Sequence, residues 1–245
     1  EIVERALVLR SPYGPDEWGD YLEEREAELR FSLDGEELTL PQIVHTISND
    51  RDRQRRAGAL ATFHHGLADQ RFDRLMARTL NVVVGAKAVE DRERGYASPM
   101  AARNISNRID DDTVAALHKA VADEGARQAQ RYYRLLAAHL KVHPLAWSDR
   151  NAALPFADQR VVPWDDCVTT VLSAYESFSP VLRDCVHKML DSRWVDAPPY
   201  PGKTGGAYNL SLLLPGGDAR AYNFLNYQGS ARDVMTVAHE VGHGA

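Results

Sequence analysis

Two histidines and one glutamate near the end of the sequence have the residue types and spacing of a metal centre. They lie in the run His239-Glu240-Val241-Gly242-His243, which matches the pattern H-E-x-x-H. Residues four apart on a helix project from the same face, so both imidazoles can reach one zinc ion. Glu240 projects about 100° away around the helix axis and can lie beside a zinc-bound water. The pattern therefore predicts zinc ligands at His239 and His243 and a general base at Glu240.

This chemistry requires a helix with one face on the core and another face open to a cleft. Ser230 and Asp233 form a capping-box pattern that predicts the start of such a helix. The apolar residues that follow form one stripe at helical spacing, nearly opposite the two histidines: Val234, Val237, Ala238 and Val241. Gly242 costs about 1 kcal/mol relative to alanine inside a helix, which indicates that another element approaches closely there. The competing interpretation is a surface helix with two solvated histidines and a chance glutamate between them.

A β-hairpin is predicted immediately before this helix. Residues 207–214 and 221–227 are short aliphatic and aromatic runs, and residues 215–218 between them are turn formers. If 221–227 is an exposed edge strand, it can bind an extended peptide by main-chain hydrogen bonds. A hairpin that serves packing alone explains the pattern equally well. The candidate substrate-binding residues are Tyr208, Tyr222, Asn223 and Phe224.

Most of the remaining sequence has helical patterning, so we predict a mainly α fold with a small β-hairpin or sheet before the metal-binding helix. The predicted helices span residues 18–29, 41–47, 51–67, 72–90, 111–143, 165–175 and 180–190. The loop before residue 165 is rich in Pro and Trp, with Pro155, Pro163 and Trp164.

Several ordered motifs give the chain a resemblance to a known family. They are Trp194-Val195-Asp196-Ala197, Pro201-Gly202-Lys203, Gly206-Ala207-Tyr208, Asn226-Tyr227 and the run 237–243. Together with Leu29-Arg30-Phe31, residues 34–39, residues 91–96 and Arg103-Asn104, they resemble oligoendopeptidase F. That family belongs to the thimet oligopeptidase group of zincin metallopeptidases. The resemblance covers nearly the whole chain.

The resemblance implies a helical, zincin-type oligopeptidase fold that encloses a narrow channel and cleaves oligopeptides rather than folded proteins. It implies one Zn²⁺ per chain, held by His239 and His243, with Glu240 as general base on a zinc-bound water. The family's third zinc ligand, a glutamate, and its oxyanion-stabilising histidine and tyrosine would lie beyond Ala245. We therefore expect a truncated fold, a fragment that lacks both ends of its parent and is inactive by itself.

The resemblance also divides the chain into two regions. Residues 1–107 are predicted to be a helical N-terminal region, similar over about 25–95 to the oligoendopeptidase F N-terminal domain. Residues 108–245 are predicted to be the first part of the zinc metallopeptidase catalytic domain, incomplete at its C-terminus.

Composition and charge narrow the class of protein and its partners. The chain is 44% hydrophobic and 26% charged, as in ordinary globular domains. Its net charge of -6 argues against nucleic acid or an anionic membrane as partner, and its apolar runs are too short to span a bilayer. Two cysteines without a CxxC pair fit a reducing compartment, and together with the family resemblance they lead us to expect a cytoplasmic location. Oligopeptides as partners are what the resemblance implies. One arginine cluster, interleaved with acidic residues, is interpreted as a solvated helix face rather than a phosphate site: Arg51, Arg53, Arg55 and Arg56.

Other interpretations compete with a zinc peptidase. Residues 197–204 match a relaxed phosphate-loop pattern, but three prolines remove N–H donors and a strand rather than a helix follows. His139 and His143 form another pair four residues apart, but Pro144 ends the helix there, which favours a structural role. The main alternative is a non-catalytic helical scaffold that retains an incomplete metal site.

Overall fold

The computed structural model describes residues 2–154, 156 and 160–245. Most of these residues are helical, which confirms the prediction of a mainly α fold. The helices are α1 (Ile2–Arg10), α2 (Pro15–Ala27), α3 (Leu40–Asn49), α4 (Arg53–Asp69), α5 (Phe72–Glu93), α6 (Ala101–Ser106), α7 (Asp111–Ala120), α8 (Ala126–Leu140), α9 (Trp164–Phe178), α10 (Pro180–Asp191) and α11 (Ala231–His243). No helix within the described ranges is both long enough and apolar enough to cross a lipid bilayer.

The strands in the described part of the chain form two small sheets. The strands are β1 (Arg30–Leu33), β2 (Glu36–Thr39), β3 (Val195–Asp196), β4 (Tyr208–Leu213) and β5 (Ala219–Phe224). β1 and β2 form an antiparallel hairpin, and the second sheet has the order β3-β5-β4. β4 pairs antiparallel with β5, which confirms the hairpin predicted before the metal-binding helix. Its turn contains Gly216 and Gly217 at φ values of 96° and 86°, a conformation that glycine adopts without strain.

The chain folds into two compact units, each built from two separated stretches of sequence. One unit contains Glu1–Glu26 and His64–Arg150, and the other contains Ala27–Phe63 and Asn151–Ala245. In the first unit, a π-helical turn at Val121–Gly125 joins α7 to α8. The boundary predicted between residues 107 and 108 falls inside this first unit. The division into an N-terminal region and a catalytic domain stays a prediction about the complete protein.

The second unit opens with a hairpin that the sequence pattern did not indicate. The predicted helix at 18–29 ends two residues earlier than expected, and a strand follows it. Asp34 and Gly35 form the turn at φ values of 52° and 85°, as a two-residue hairpin turn with two positive φ angles requires. Phe31 is buried and its ring centroid lies 5.7 Å from that of Phe63 in α4.

Arg56 corrects the interpretation of the arginine cluster as a solvated face. Its side chain is buried, and its Nη1 donates a hydrogen bond to the main-chain oxygen of Asp50 at 2.9 Å. The physical reason is that the last carbonyl groups of α3 have no helical partner, and the guanidinium supplies one. Arg55, half-buried, contacts three carboxylates: Asp34 at 3.2 Å, Glu36 at 3.8 Å and Asp50 at 3.6 Å.

The core of the second unit joins α9, α10, α11 and the three-stranded sheet. Its buried members are Cys167, Val171, Val186, Met189, Ala197, Ala221, Leu225, Val237 and Val241. Ser179 and Pro180 start α10 as predicted, with Ser179 as the N-cap and Pro180 at the first helical position. Pro155, in the loop predicted before α9, lies outside the described residues. Because α11 contributes to this core, packing as well as capping fixes its orientation.

Candidate metal centre

The cap of α11 has the predicted geometry. Ser230 Oγ accepts a hydrogen bond from the Asp233 N–H at 3.1 Å, and Asp233 Oδ2 accepts one from the Ser230 N–H at 2.9 Å. The same carboxylate oxygen accepts a hydrogen bond from the Gln228 N–H at 3.0 Å. Asp233 therefore completes the capping box and also accepts a hydrogen bond from the segment before the helix. These hydrogen bonds fix the residue at which α11 begins.

The predicted apolar stripe of α11 is buried. Val237 and Val241 are 2% and 0% exposed, and Val234 and Ala238 pack against the same core. The two histidines of the motif are exposed. The helix therefore packs by its apolar face and presents both imidazoles to solvent, as the spacing predicts.

The two histidines are brought together as the motif predicts. The Nε2 atoms of His239 and His243 lie 3.1 Å apart, and the ring planes are nearly perpendicular at 89°. Two nitrogens bound to one zinc ion at about 2.1 Å with a tetrahedral angle are about 3.4 Å apart. The observed pair is within a few tenths of an ångström of that separation. The donor type and the spacing therefore fit two ligands of one zinc ion.

Glu240 lies between the two histidines in sequence, but it is buried whereas they are exposed. Its side chain is buried, with the residue 8% exposed. Among the residues that the structure describes, no hydrogen bond or ion pair engages its carboxylate. The carboxylate is thus held at the edge of the core with its oxygens available as acceptors, which is what a general base for a water molecule requires.

In the part of the chain that the structure describes, the candidate metal ligands at this site are the two histidines. Across residues 2–154, 156 and 160–245, no group of three or more His, Cys, Asp or Glu side chains could hold a metal ion. The two imidazoles could supply two nitrogen ligands, whereas a catalytic zinc ion in proteins has three protein ligands.

Gly242 confirms the prediction that another element approaches α11 closely. A Cβ at this position would lie 2.5 Å from the hydroxyl oxygen of Tyr175 in α9. Gly244, after the end of α11, has the same property. A Cβ there would lie 2.5 Å from Ala221 Cβ and 3.0 Å from Met189 Cε. The C-terminal turn of the metal helix therefore packs against α9 on one side and the hairpin on another.

The order of the strands places β5, one of the two alternatives for a peptide-binding edge, inside the sheet. β5 lies between β3 and β4, and β3 pairs with it at Asn223 and Phe224, so this part of β5 is not a free edge. The N–H of Asn223 donates to Trp194 O at 2.7 Å, and the N–H of Leu225 donates to Asp196 O at 2.9 Å. The two-residue strand β3 covers β5 in this way, and a strand so short has no alternating sequence pattern. On the other side of β5, β4 is the edge strand of the sheet.

The register shows which main-chain groups of β4 point outward. Because the Asn223 N–H points towards β3, its partner Asn209 is not hydrogen-bonded to it through the main chain. Bonded and non-bonded pairs alternate along an antiparallel ladder. Asn209, Ser211 and Leu213 therefore direct their N–H and C=O groups away from β5.

The four candidate substrate-binding residues lie on opposite faces of this sheet. The rings of Tyr208 and Phe224 stack with centroids 4.9 Å apart, and Tyr222 shares their face because residues two apart on a strand do. Asn223 lies on the other face and is 2% exposed, and its Oδ1 accepts a hydrogen bond from Asn209 Nδ2 at 2.9 Å. Its amide thus serves the sheet itself. A substrate-binding role for the three aromatic residues stays a prediction.

Lys203, in the segment that resembled a phosphate loop, is engaged by the protein. Its Nζ donates hydrogen bonds to Asp196 O at 3.0 Å and Pro198 O at 2.9 Å, and it lies 3.0 Å from the Asp196 carboxylate. The side chain is fully buried. β4 rather than a helix follows the segment, as predicted. Lys203 therefore fixes the loop before β4.

Comparison with known proteins identifies the family of the segment that contains α11 and its histidine pair. Residues 46–245 match the model of peptidase family M3, and the chain belongs to that family. The chain is 26% identical over 174 residues to group B oligopeptidase PepB of Streptococcus agalactiae serotype III (strain NEM316), which covers 71% of this chain and 28% of that protein. It is 26% identical over 167 residues to the chromosomal oligoendopeptidase F of Lactococcus lactis subsp. cremoris, covering 68% of this chain and 27% of that protein. The resemblance to oligoendopeptidase F is thereby confirmed.

A solved structure supports the fold. A crystal structure described as an oligoendopeptidase F from Bacillus anthracis str. Ames superposes with a TM-score of 0.81 at 22% identity, covering 94% of this chain and 42% of that one. The chain spans less than a third of the length of the curated relatives it matches.

Two residues of the site were missed at the level of sequence. Tyr175 contacts α11 from 63 positions away, and Asn209 lies beside the end of α11 from an adjacent strand. For Tyr175, the one signal in the sequence was Gly242, which indicated a close neighbour of α11 but did not identify it. For Asn209, no feature of the sequence indicated its contact with Asn223.

Proposed function

We propose that this chain carries part of the active site of a zinc-dependent metalloendopeptidase that hydrolyses oligopeptides. The observation that supports this most directly is the 3.1 Å separation of the His239 and His243 Nε2 atoms on an exposed helix face. The membership of peptidase family M3 and the oligopeptidase names of the relatives agree with it.

In this proposal each residue of the motif has one task. His239 and His243 hold the zinc ion through Nε2. When bound, zinc lowers the pKa of a coordinated water towards about 7 and polarises the scissile carbonyl. Glu240 accepts the proton of the attacking water and afterwards delivers it to the amine of the departing peptide. Its burial at 8% exposure keeps the carboxylate in one place, and the absence of a partner among the described side chains leaves it free to accept that proton.

The two histidines do not complete a catalytic zinc site. Because such sites use three protein ligands, we propose that a third ligand comes from another part of the parent enzyme. The 245-residue chain is then expected to bind zinc weakly and to be inactive by itself. In the complete enzyme, residues 1–107 form the N-terminal region and residues 108–245 the first part of the catalytic domain, in the cytoplasm.

The outer edge of β4 is the element that we propose for binding an extended peptide. Asn209, Ser211 and Leu213 point their main-chain groups outward there, and a peptide that adds as a further strand pairs with such groups. Main-chain pairing depends little on the side chains of the bound peptide, which suits an enzyme that accepts varied oligopeptides.

Zinc titration of the 245-residue chain tests the proposal. Isothermal titration calorimetry is expected to show one zinc ion per chain, with at least about tenfold weaker binding after His239→Ala. His139→Ala is the matched control, because His139 and His143 form the other pair with the same spacing. Equal zinc affinity of wild type and His239→Ala would overturn the proposal and favour the non-catalytic scaffold.

A further inference from the structure

Tyr175 of α9 contacts α11 at the turn that separates the two candidate ligands. Its hydroxyl donates a hydrogen bond to the main-chain oxygen of Ala238 at 2.7 Å. The same hydroxyl oxygen lies 2.5 Å from the position of a Cβ at Gly242. Ala238 immediately precedes His239, and Gly242 immediately precedes His243. One hydroxyl therefore lies against the backbone just before each ligand.

The hydrogen bond from Tyr175 adds to the main-chain hydrogen bonds of α11 and does not replace one of them. In an α-helix the Ala238 carbonyl accepts from the Gly242 N–H, and a carbonyl oxygen has a second lone pair that the tyrosine hydroxyl can use. Val171, one turn before Tyr175 on α9, is 2% exposed in the core. The hydroxyl thus ties the turn 238–242 to a helix that is itself fixed by packing.

Burial raises the pKa of the Tyr175 hydroxyl above its ordinary value. The hydroxyl therefore keeps its proton, and remains a donor, throughout the neutral pH range.

We propose that Tyr175 is a positioning residue for the metal centre, and that residue 242 is glycine because the Tyr175 hydroxyl occupies the space of a side chain there. The inference rests on the proposed zinc site. Tyr175 acts through the backbone of α11, where its hydroxyl donates to Ala238 O, and in the described part of the chain it makes no hydrogen bond to either imidazole. Loss of the hydroxyl frees the turn that sets the separation of the two Nε2 atoms. Partners that orient metal ligands are typically worth 10–100-fold in metal affinity, and an effect through the backbone is expected at the lower end, about tenfold.

A double-mutant cycle tests the steric part of the inference. In the wild-type background, Gly242→Ala brings a Cβ to 2.5 Å from the hydroxyl oxygen and is expected to lower the midpoint of thermal unfolding. In a Tyr175→Phe background the nearest ring atom, Cζ, is 3.8 Å from that Cβ, which is an ordinary contact. Alanine is also a better helix former than glycine, so Gly242→Ala is expected to raise the midpoint there. An increase in both backgrounds would overturn the steric explanation.

Zinc affinity, measured by calorimetry on the 245-residue chain, tests the positioning role. Tyr175→Phe is expected to weaken zinc binding about tenfold. Tyr227→Phe is the matched control, because the Tyr227 hydroxyl donates at the same 2.7 Å to Val162 O, in the segment before α9, and not to the turn 238–242. The control is expected to lose stability and keep its zinc affinity.

The outcomes separate this inference from the zinc site on which it rests. If His239→Ala binds zinc as tightly as wild type, the zinc site and the positioning role are both overturned. If His239→Ala weakens binding but Tyr175→Phe does not, the zinc site stands and the positioning role is overturned. A loss of affinity as large in Tyr227→Phe as in Tyr175→Phe would also overturn it, since general destabilisation would then explain both.

Discussion

Asn209 donates a hydrogen bond to Asn223 across β4 and β5, with 2.9 Å between Nδ2 and Oδ1, beside the end of the metal helix. The same Nδ2 lies 3.0 Å from the position of a Cβ at Gly244. Gly244 directly follows His243, so the second candidate ligand is one residue from a contact with the sheet. The placement of the histidine pair relative to β4 therefore depends on glycine at position 244.

Gly244→Ala is expected to destabilise the chain by about 1–3 kcal/mol, the usual cost of overpacking. The new Cβ would lie 2.5 Å from Ala221 Cβ, which belongs to a strand and cannot rotate away. Gly85→Ala, inside α5, is the matched control, because apart from the neighbouring backbone of α5 no described atom lies within 4 Å of its added Cβ. That variant is expected to gain about 0.5–1 kcal/mol from better helix propensity. Urea unfolding measures both, and equal effects would contradict the close packing at residue 244.

Glu240→Gln is expected to keep zinc affinity within about threefold of wild type, whereas His243→Ala is expected to lose at least about tenfold. The reason is that Glu240 projects about 100° from the histidines and is proposed as a base, not a ligand. Equilibrium dialysis with metal analysis measures the affinity of each variant. A loss in Glu240→Gln as large as that in His243→Ala would assign Glu240 a ligand role instead.

Helix α11 could be predicted from sequence because its determinants are local. Ser230 and Asp233 are three residues apart, and the apolar stripe and the histidines follow one helical period. Such patterns depend on neighbouring residues alone, and the structure confirms the cap, the buried stripe and the approach at Gly242. The two histidines, which share this helix, are accordingly brought together as the motif predicts.

The errors arise where distant segments decide the structure. β3 has two residues, and only its pairing with β5 reveals that β5 is central. The first hairpin was missed although Asp34-Gly35 is a strong turn signal, because its strands of four residues each are too short to show clear alternation. Arg56 is buried because its guanidinium donates a hydrogen bond to the main-chain oxygen of Asp50, directly after α3. A pattern of charges in the sequence cannot indicate such a contact.

The stability of the chain is expected to fall as the pH drops below about 6.5, in part because of His45 in α3. Burial lowers the pKa of His45, and the nearby carboxylates of Asp233 and Asp50 oppose that shift only in part. The folded state thus keeps His45 neutral, whereas the unfolded state takes up a proton below the ordinary value of 6.5. The contribution of neutral His45 to the free energy of unfolding is therefore present above pH 6.5 and is lost as the pH falls.

His45→Gln is expected to reduce the loss of unfolding free energy between pH 7 and about pH 5. Urea unfolding at a series of pH values measures this change, and His65→Gln, at an exposed position of α4, controls for the loss of one histidine. The same pH dependence in His45→Gln and in wild type would show that His45 does not carry the effect.

Ser211 distinguishes peptide binding at the β4 edge from simple packing of the hairpin. Its N–H points away from β5, so Ser211→Pro removes one outward donor without removing a hydrogen bond of the hairpin, and proline is tolerated on edge strands. Ser211→Ala is the matched control, because it keeps the N–H and removes only the hydroxyl, which donates to Asn209 Oδ1 at 2.8 Å.

If an extended peptide pairs with β4, Ser211→Pro is expected to weaken its binding about fivefold, the value of one net hydrogen bond of about 1 kcal/mol. Ser211→Ala is expected to bind nearly as wild type does. Fluorescence anisotropy of a labelled oligopeptide measures the affinity, and circular dichroism verifies that both variants keep the fold. Because the two variants share the loss of the hydroxyl and differ in the N–H, equal affinities would remove β4 from the proposed substrate site and leave the hairpin a packing element.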